Sequence, residues 1–161
     1  MATEIKNNDK GDKKIEIAKQ SPIGLESLGP KEIALLAVTS AIDQKGLDVR
    51  ALNMRAVSDI ADYFVIISAT SERHAKGITD KILDRLKEKG ERTLSIDGYE
   101  SAEWILLDYG SVIIHVFYEP KRQYYSFDEL WKDATEIEMD PELAKQAKKF
   151  RTGVVHFAKS T

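Results

Sequence analysis

The chain has 161 residues, 42% hydrophobic and 32% charged, with three histidines and a formal net charge of −3. That length and balance suit one soluble globular domain with a substantial core. The negative balance weighs against a main role as a naked nucleic-acid binder, whose phosphate contacts rest on Lys and Arg, and is no obstacle to a basic protein partner. The absence of cysteine excludes disulfides, thiolate metal sites and cysteine nucleophiles, and is compatible with a reducing cytosol.

Residues 1–26 are polar and aperiodic, with Lys6, Lys10, Lys13, Lys14 and Lys19 set against Glu4, Asp12, Glu16 and Glu26. They read as a mobile, solvated tail rather than an RNA-binding arm. MATEIKNNDKGDKK lacks an apolar h-region, so no secretory signal is read. No run approaches the roughly 20 apolar residues of a membrane span, and a cytoplasmic location is expected. The folded domain is expected over 27–135. Gly29-Pro30 opens a helix carrying Ile33, Leu36, Ala37, Ala41 and Ile42 at helical spacing, and Lys45-Gly46 closes it. Strands are predicted over Leu47–Met54 and Tyr63–Ala69; the latter, YFVIISA, is apolar on both faces, as a covered central strand should be. Thr70-Ser71 offers an N-cap to a second helix with Ala75, Ile78, Ile82 and Leu86 inward, ending at Gly90. A short strand over Arg92–Ile96 and the acidic loop DGYESAE lead into AEWILLDYGSVIIHVF, a hairpin. Glu119-Pro120 breaks the last strand. SFDELWKDA then starts a helix, with Ser126 and Glu129 spaced as a capping box and Phe127, Leu130 and Trp131 docking it. The extension 136–161 holds a helix signal at Asp140-Pro141-Glu142 and reads as partly helical and solvated. The fold class is α/β, a mixed sheet of about five strands flanked by helices.

With Tyr109-Gly110 as a two-residue turn, Asp108 pairs with Ser111, Leu106 with Ile113 and Trp104 with His115. Alternation puts Trp104, Leu106, Asp108, Ile113, His115 and Phe117 on one face and the aliphatic Ile105, Leu107, Val112 and Ile114 on the other. The aliphatic face must be core. The mixed face is either core with its polar groups satisfied or a surface left partly open for a partner.

Chemistry finds little support. His74, His115 and His156 stand alone in their segments without metal-ligand spacing. Ser68, Ser71 and Ser111 lack a nucleophile elbow. No G-x-x-x-x-G-K-[ST] or G-x-G-x-x-G loop is present. Asp59 and Asp62 sit three apart at a strand entry, where carboxylates need not converge as two-metal phosphoryl transfer requires. Neither a catalytic residue, a cofactor nor a metal is expected.

ADYFVIISATSERHA (Ala61 to Ala75), GYESAEWILLDYGSVIIHVF (Gly98 to Phe117) and RQYYSFDELWKDA (Arg122 to Ala134) together resemble the ribosomal silencing factor family, also called Iojap-like proteins. The blocks follow the family order and cover nearly all of Ser27 to Ala134. The resemblance implies a nucleotidyltransferase-like α/β fold without the catalytic signature. It implies binding to the large ribosomal subunit through its universal protein number fourteen, a steric block of subunit joining and repression of translation when nutrients are short. It also implies homodimers in some members. The family's tryptophan falls on Trp104, its acid before the turn on Asp108 and the next residue on Tyr109, which become the candidate ribosomal contacts. Gly98 and Gly110 match glycines that set loop geometry, and His115 matches a histidine without an assigned role. Ser111 departs from the aspartate usual after that glycine. Asp97, Glu100, Glu103 and Asp108 place negative charge around Trp104, suiting a basic partner. The alternative is a nucleotide- or metal-dependent transferase of the same fold, and a third reading is an RNA-binding module.

Overall fold

The computed structural model describes residues 27–148; the N-terminal tail and the end of the C-terminal extension lie outside them. One six-stranded mixed sheet has the order β3-β4-β5-β2-β1-β6, formed by β1 (Leu47–Asn53), β2 (Tyr63–Ala69), β3 (Ser95–Asp97), β4 (Trp104–Asp108), β5 (Val112–Tyr118) and β6 (Thr135–Glu136). The central pair β2–β5 is parallel and the other pairs are antiparallel. Every residue of β2 is buried, as its two-sided apolar sequence demands.

One sheet face carries Val49, Ala51, Val65, Ile67, Ile105, Leu107, Ile114 and Val116. It packs against α1 (Pro30–Asp43) and α2 (Glu72–Glu88), whose apolar stripes fit the predicted spacing. Ser71 caps α2, its hydroxyl accepting from the His74 N–H at 2.9 Å. His74 itself ties α2 to the end of α1: its Nδ1 accepts from the Thr70 N–H at 2.9 Å and its Nε2 donates to the Gln44 carbonyl at 2.6 Å. No helix among the described residues is long and apolar enough to cross a membrane.

The other face carries Trp104, Leu106, Ile113, His115, Phe117, Phe64, Ile66 and Leu52, covered by a short segment. That segment is α3 (Glu119–Tyr124), which the sequence reading missed, and α4 (Phe127–Leu130). Pro120 therefore begins a helix as well as ending a strand. The predicted capping box is not made. Ser126 adopts a left-handed conformation (φ 48°) and gives no side-chain cap, and the helix lasts four residues. Phe127 is buried and Trp131 half-buried, but Leu130 is 66% exposed instead of docked.

A buried cation holds this segment down. Arg122, 3% exposed, donates from Nε and an Nη to the two Asp128 carboxylate oxygens (2.7 and 2.8 Å), and from its other Nη to the Asp48 carbonyl and the Ser68 hydroxyl (2.7 and 2.9 Å). Arg50 adds bonds to Asp128 and Glu136, fastening β6 to the same network.

The chain past β6 also joins the core. The Ile137 N–H donates to the Ala51 carbonyl at 2.9 Å, and α5 (Pro141–Lys148) buries Ala147 over Val49 and Ala51. A boundary at 135 thus falls inside β6. A chain of residues 27–148 should unfold in one cooperative transition, whereas a chain of 27–135 should lose the Arg50–Glu136 pair and α5 and melt at a distinctly lower temperature. Equal melting temperatures by circular dichroism would make α5 an accessory.

Candidate functional site

The hairpin register differs from the predicted one by two residues. Trp104 pairs with Phe117, Leu106 with His115 and Asp108 with Ile113. The turn is Gly110-Ser111, closed by the Tyr109 N–H to the Val112 carbonyl at 2.9 Å, with Gly110 at φ +82° and its N–H on Asp108 Oδ1 at 2.7 Å. A shift of two preserves strand faces, so the predicted division into an aliphatic and a mixed face stands.

Although no longer cross-strand partners, Trp104 and His115 still meet, on the diagonal. The indole Nε1–H donates to His115 Nδ1 at 3.2 Å. This bond requires a neutral imidazole, with its hydrogen on Nε2. Burial, with Phe64 and Phe127 at 4.6 and 4.7 Å between ring centroids, pushes the His115 pKa down to about 3. Its Nε2 is buried without a hydrogen-bond partner, among the rings of Phe64, Phe117 and Phe127. The imidazole is therefore a fixed internal acceptor that orients the tryptophan.

Trp104 is half-buried, its indole stacked on Phe117 (centroids 5.0 Å, 24°), edge-on to Phe127 (5.4 Å) and beside Tyr125 (5.4 Å). Gly98 secures its backbone: φ is +76°, and a Cβ there would lie 2.1 Å from the Trp104 carbonyl oxygen. Within the acidic loop, the Ala102 N–H donates to the Gly98 carbonyl and Tyr99 donates to Asp80 on α2.

The three candidate residues are not one cluster. Trp104 and Asp108 share a face but lie at opposite ends of β4, about 13 Å apart at the usual rise per residue. Tyr109 packs against the helix-covered core, on the opposite face. Burial, helped by the charge of Glu91, pushes its hydroxyl up to about 12, and that buried hydroxyl has no hydrogen-bond partner. Tyr125 lies beside Trp104, Tyr124 packs on Tyr125 in turn, and Glu103 precedes Trp104 in the chain; the sequence reading passed over the two tyrosines. Adjacent tyrosines between a helix start and a buried Phe127 carry no periodic signal of their own.

Asp59 and Asp62 border an open cleft of about 410 Å³ with Arg55, Ser58 and Ser111. Its volume falls in the range of ligand sites. Its one cation, Arg55, is already 3.6 Å from Asp62. Among the described residues no group of three or more His, Asp or Glu side chains is placed to hold a metal ion.

The depressed His115 pKa has a measurable consequence. The unfolded chain takes up a proton near pH 6.5, while the folded chain does not until about pH 3. The neutral folded form therefore contributes stability above pH 6.5, and that contribution declines as pH falls towards 3. Between pH 6.5 and 5 the loss from this residue should be on the order of 1–2 kcal/mol. His115→Phe should flatten the slope of urea-unfolding free energy in that window, and an unchanged slope would place the titration elsewhere.

Residues 28–159 match the family model described as ribosomal silencing factor during starvation. The chain is 38% identical over 110 residues to the ribosomal silencing factor of Halalkalibacterium halodurans, covering 68% of this chain and 94% of that protein. It is 34% identical over 113 residues to the ribosomal silencing factor of Bacillus subtilis, covering 70% and 96%. A crystal structure of a Bacillus halodurans protein superposes with a TM-score of 0.60 at 35% identity, covering 68% of this chain and 99% of that one. The aromatic face built on Trp104 and His115 is thus carried by a chain that belongs to the ribosomal silencing factor family.

Proposed function

We propose that the protein silences ribosomes by occupying the large subunit at its universal protein number fourteen, so that the small subunit cannot join and translation is repressed under nutrient limitation. The observation that carries this reading is the state of Trp104. Its one polar atom is committed to His115, its ring is wedged against Phe117 and Phe127, and the remainder of the indole is left at the surface. A tryptophan held in one orientation loses little entropy on binding, which makes it a strong anchor for a protein interface. Asp108 adds negative charge at the far end of the same strand, and the half-buried Tyr109 follows it at the turn. Blocking a joining surface needs an occupied area of about 800 Å² per partner and no chemical step. The partner is therefore a basic protein surface, and homodimers remain compatible with it.

Trp104→Ala should lose about 2–4 kcal/mol of large-subunit affinity, roughly 30- to 1000-fold, in sedimentation with separated subunits. Asp108→Asn preserves the acceptor for the Gly110 N–H and removes only charge. It should weaken binding less and reduce its salt dependence. A folded Trp104→Ala protein that still blocks joining at wild-type concentration overturns the anchor role.

We further propose that silencing involves no enzymatic turnover. Arg55 is engaged by Asp62, and the loop holding Asp59 presents no phosphate-cradling glycines. Labelled nucleoside triphosphates with Mg²⁺ or Mn²⁺ and candidate acceptors should give no transfer. Transfer that disappears in Asp59→Asn or Asp62→Asn would establish the transferase reading instead.

A further inference from the structure

Beyond Trp104 the aromatic layer continues outward. Tyr125 lies 5.4 Å from Trp104 between ring centroids, and Tyr124 lies 5.1 Å from Tyr125 at a near-perpendicular 84°. Tyr124 is 76% exposed and Tyr125 46%, although both sit on a segment that the buried Arg122 clamps to the sheet. Large side chains on a rigid support, left in water, are a feature of binding surfaces.

The chemistry of this surface is visible in what already occupies it. Lys121 Nζ sits 5.5 Å from the Tyr124 ring centroid and 3.6 Å from Glu103 Oε2, the carboxylate of the residue just before Trp104. A ring face and a carboxylate thus converge on one ammonium group. Both members of the Lys121–Glu103 pair are substantially exposed, and such a pair is held weakly and exchanges readily. Two further acids on the same covering segment, Glu119 and Glu129, are met among the described residues by the exposed Gln123 and Lys132.

We propose that Tyr124, Tyr125 and Glu103 form a cation-accepting surface beside Trp104, which takes an arginine or lysine side chain of the basic protein partner, and that Lys121 fills it in the free chain as an exchangeable stand-in. This rests on the reading that Trp104 docks a ribosomal protein. The incoming cation gains the quadrupole of the tyrosine ring and the Glu103 charge, both partly desolvated by the interface. Guanidinium fits better than ammonium, since its plane can lie on a ring while its fork meets a carboxylate. Lys121 is then a competitor inside the same molecule, displaced when the partner arrives.

The competition fixes the sign of the decisive experiment. The full chain and its variants are sedimented with separated large subunits over a concentration series, with thermal melts on the same samples. Tyr124→Leu should weaken binding about five-fold, and Tyr124→Phe, which keeps the ring, should not. Glu103→Gln should weaken it several-fold. Lys121→Met, which keeps the stem and removes the charge, should tighten binding by roughly two- to five-fold. Weaker binding by Lys121→Met, or unchanged binding by Tyr124→Leu, overturns the inference while leaving the Trp104 anchor intact. Equal affinity for protein-free ribosomal RNA, reduced by Lys121→Met, would make Lys121 a phosphate contact and also overturn it. Failure of the wild-type chain to sediment with large subunits would remove this inference together with the reading beneath it.

Discussion

The guanidinium of Arg122 is buried at the point where the chain lays its last segment across the second face of the sheet. An arginine stripped of water and left unpaired there would cost several kcal/mol, so the segment has one seat, where Asp128, the Asp48 carbonyl and Ser68 receive its donors. Burial pushes the Asp128 carboxyl up, but its bonds and charge contacts with Arg122 and Arg50 outweigh that and hold it at about 2. The Asp128 carboxylate is consequently ionised throughout the neutral range. Asp128 adjoins Phe127, so fixing the carboxylate also fixes where that ring enters the core and how α4 leaves it.

From that seat the aromatic layer follows. Phe127 closes over Phe64, His115 and Phe117, and Trp104 packs on its edge. The cluster is polar at only a few atoms, and the Trp104–His115 bond satisfies two of them. Because this bond lies inside, what Trp104 offers outward is ring surface, which selects by shape and quadrupole rather than by hydrogen-bond pattern. Specificity then falls to the charges at the rim.

The sequence states the covered face of the sheet plainly. YFVIISA is apolar at every position, and Ala75, Ile78, Ile82 and Leu86 repeat at helical spacing, so β2 and α2 follow from periodicity alone. The division of the hairpin into two faces was legible even though its register was not. Gly110 fits either position of a two-residue turn, and both choices keep the same parity. The second face is where local signals fail. S-F-D-E imitates a capping box, yet Ser126 comes just past the C-cap of α3, Tyr125, and takes a left-handed turn between that helix and the clamped Asp128. Arg122 draws partners 54 and 74 positions away, which no window of sequence displays. Tyr109 shows the same limit at the candidate site. Its neighbour Asp108 points to the mixed face, so alternation sends the tyrosine to the other side, where its hydroxyl is buried against the helix-covered core.

The two faces divide the work unequally. Three helices and the aliphatic side chains beneath them bury one side thoroughly, while among the described residues the other is covered by two short helices, the turn after them that carries Trp131, and the loop after β1. A thin cover gives stability up in return for exposure: among the described residues nothing packs over Tyr124, Tyr125 and Leu130. Flexible, such a cover would lose its exposed rings to disorder and each contact would carry an ordering cost. Pinned by a buried ion pair, it presents those rings in a single arrangement, and the proposed role of occupying a surface on the large subunit would depend on that rigidity more than on any pocket.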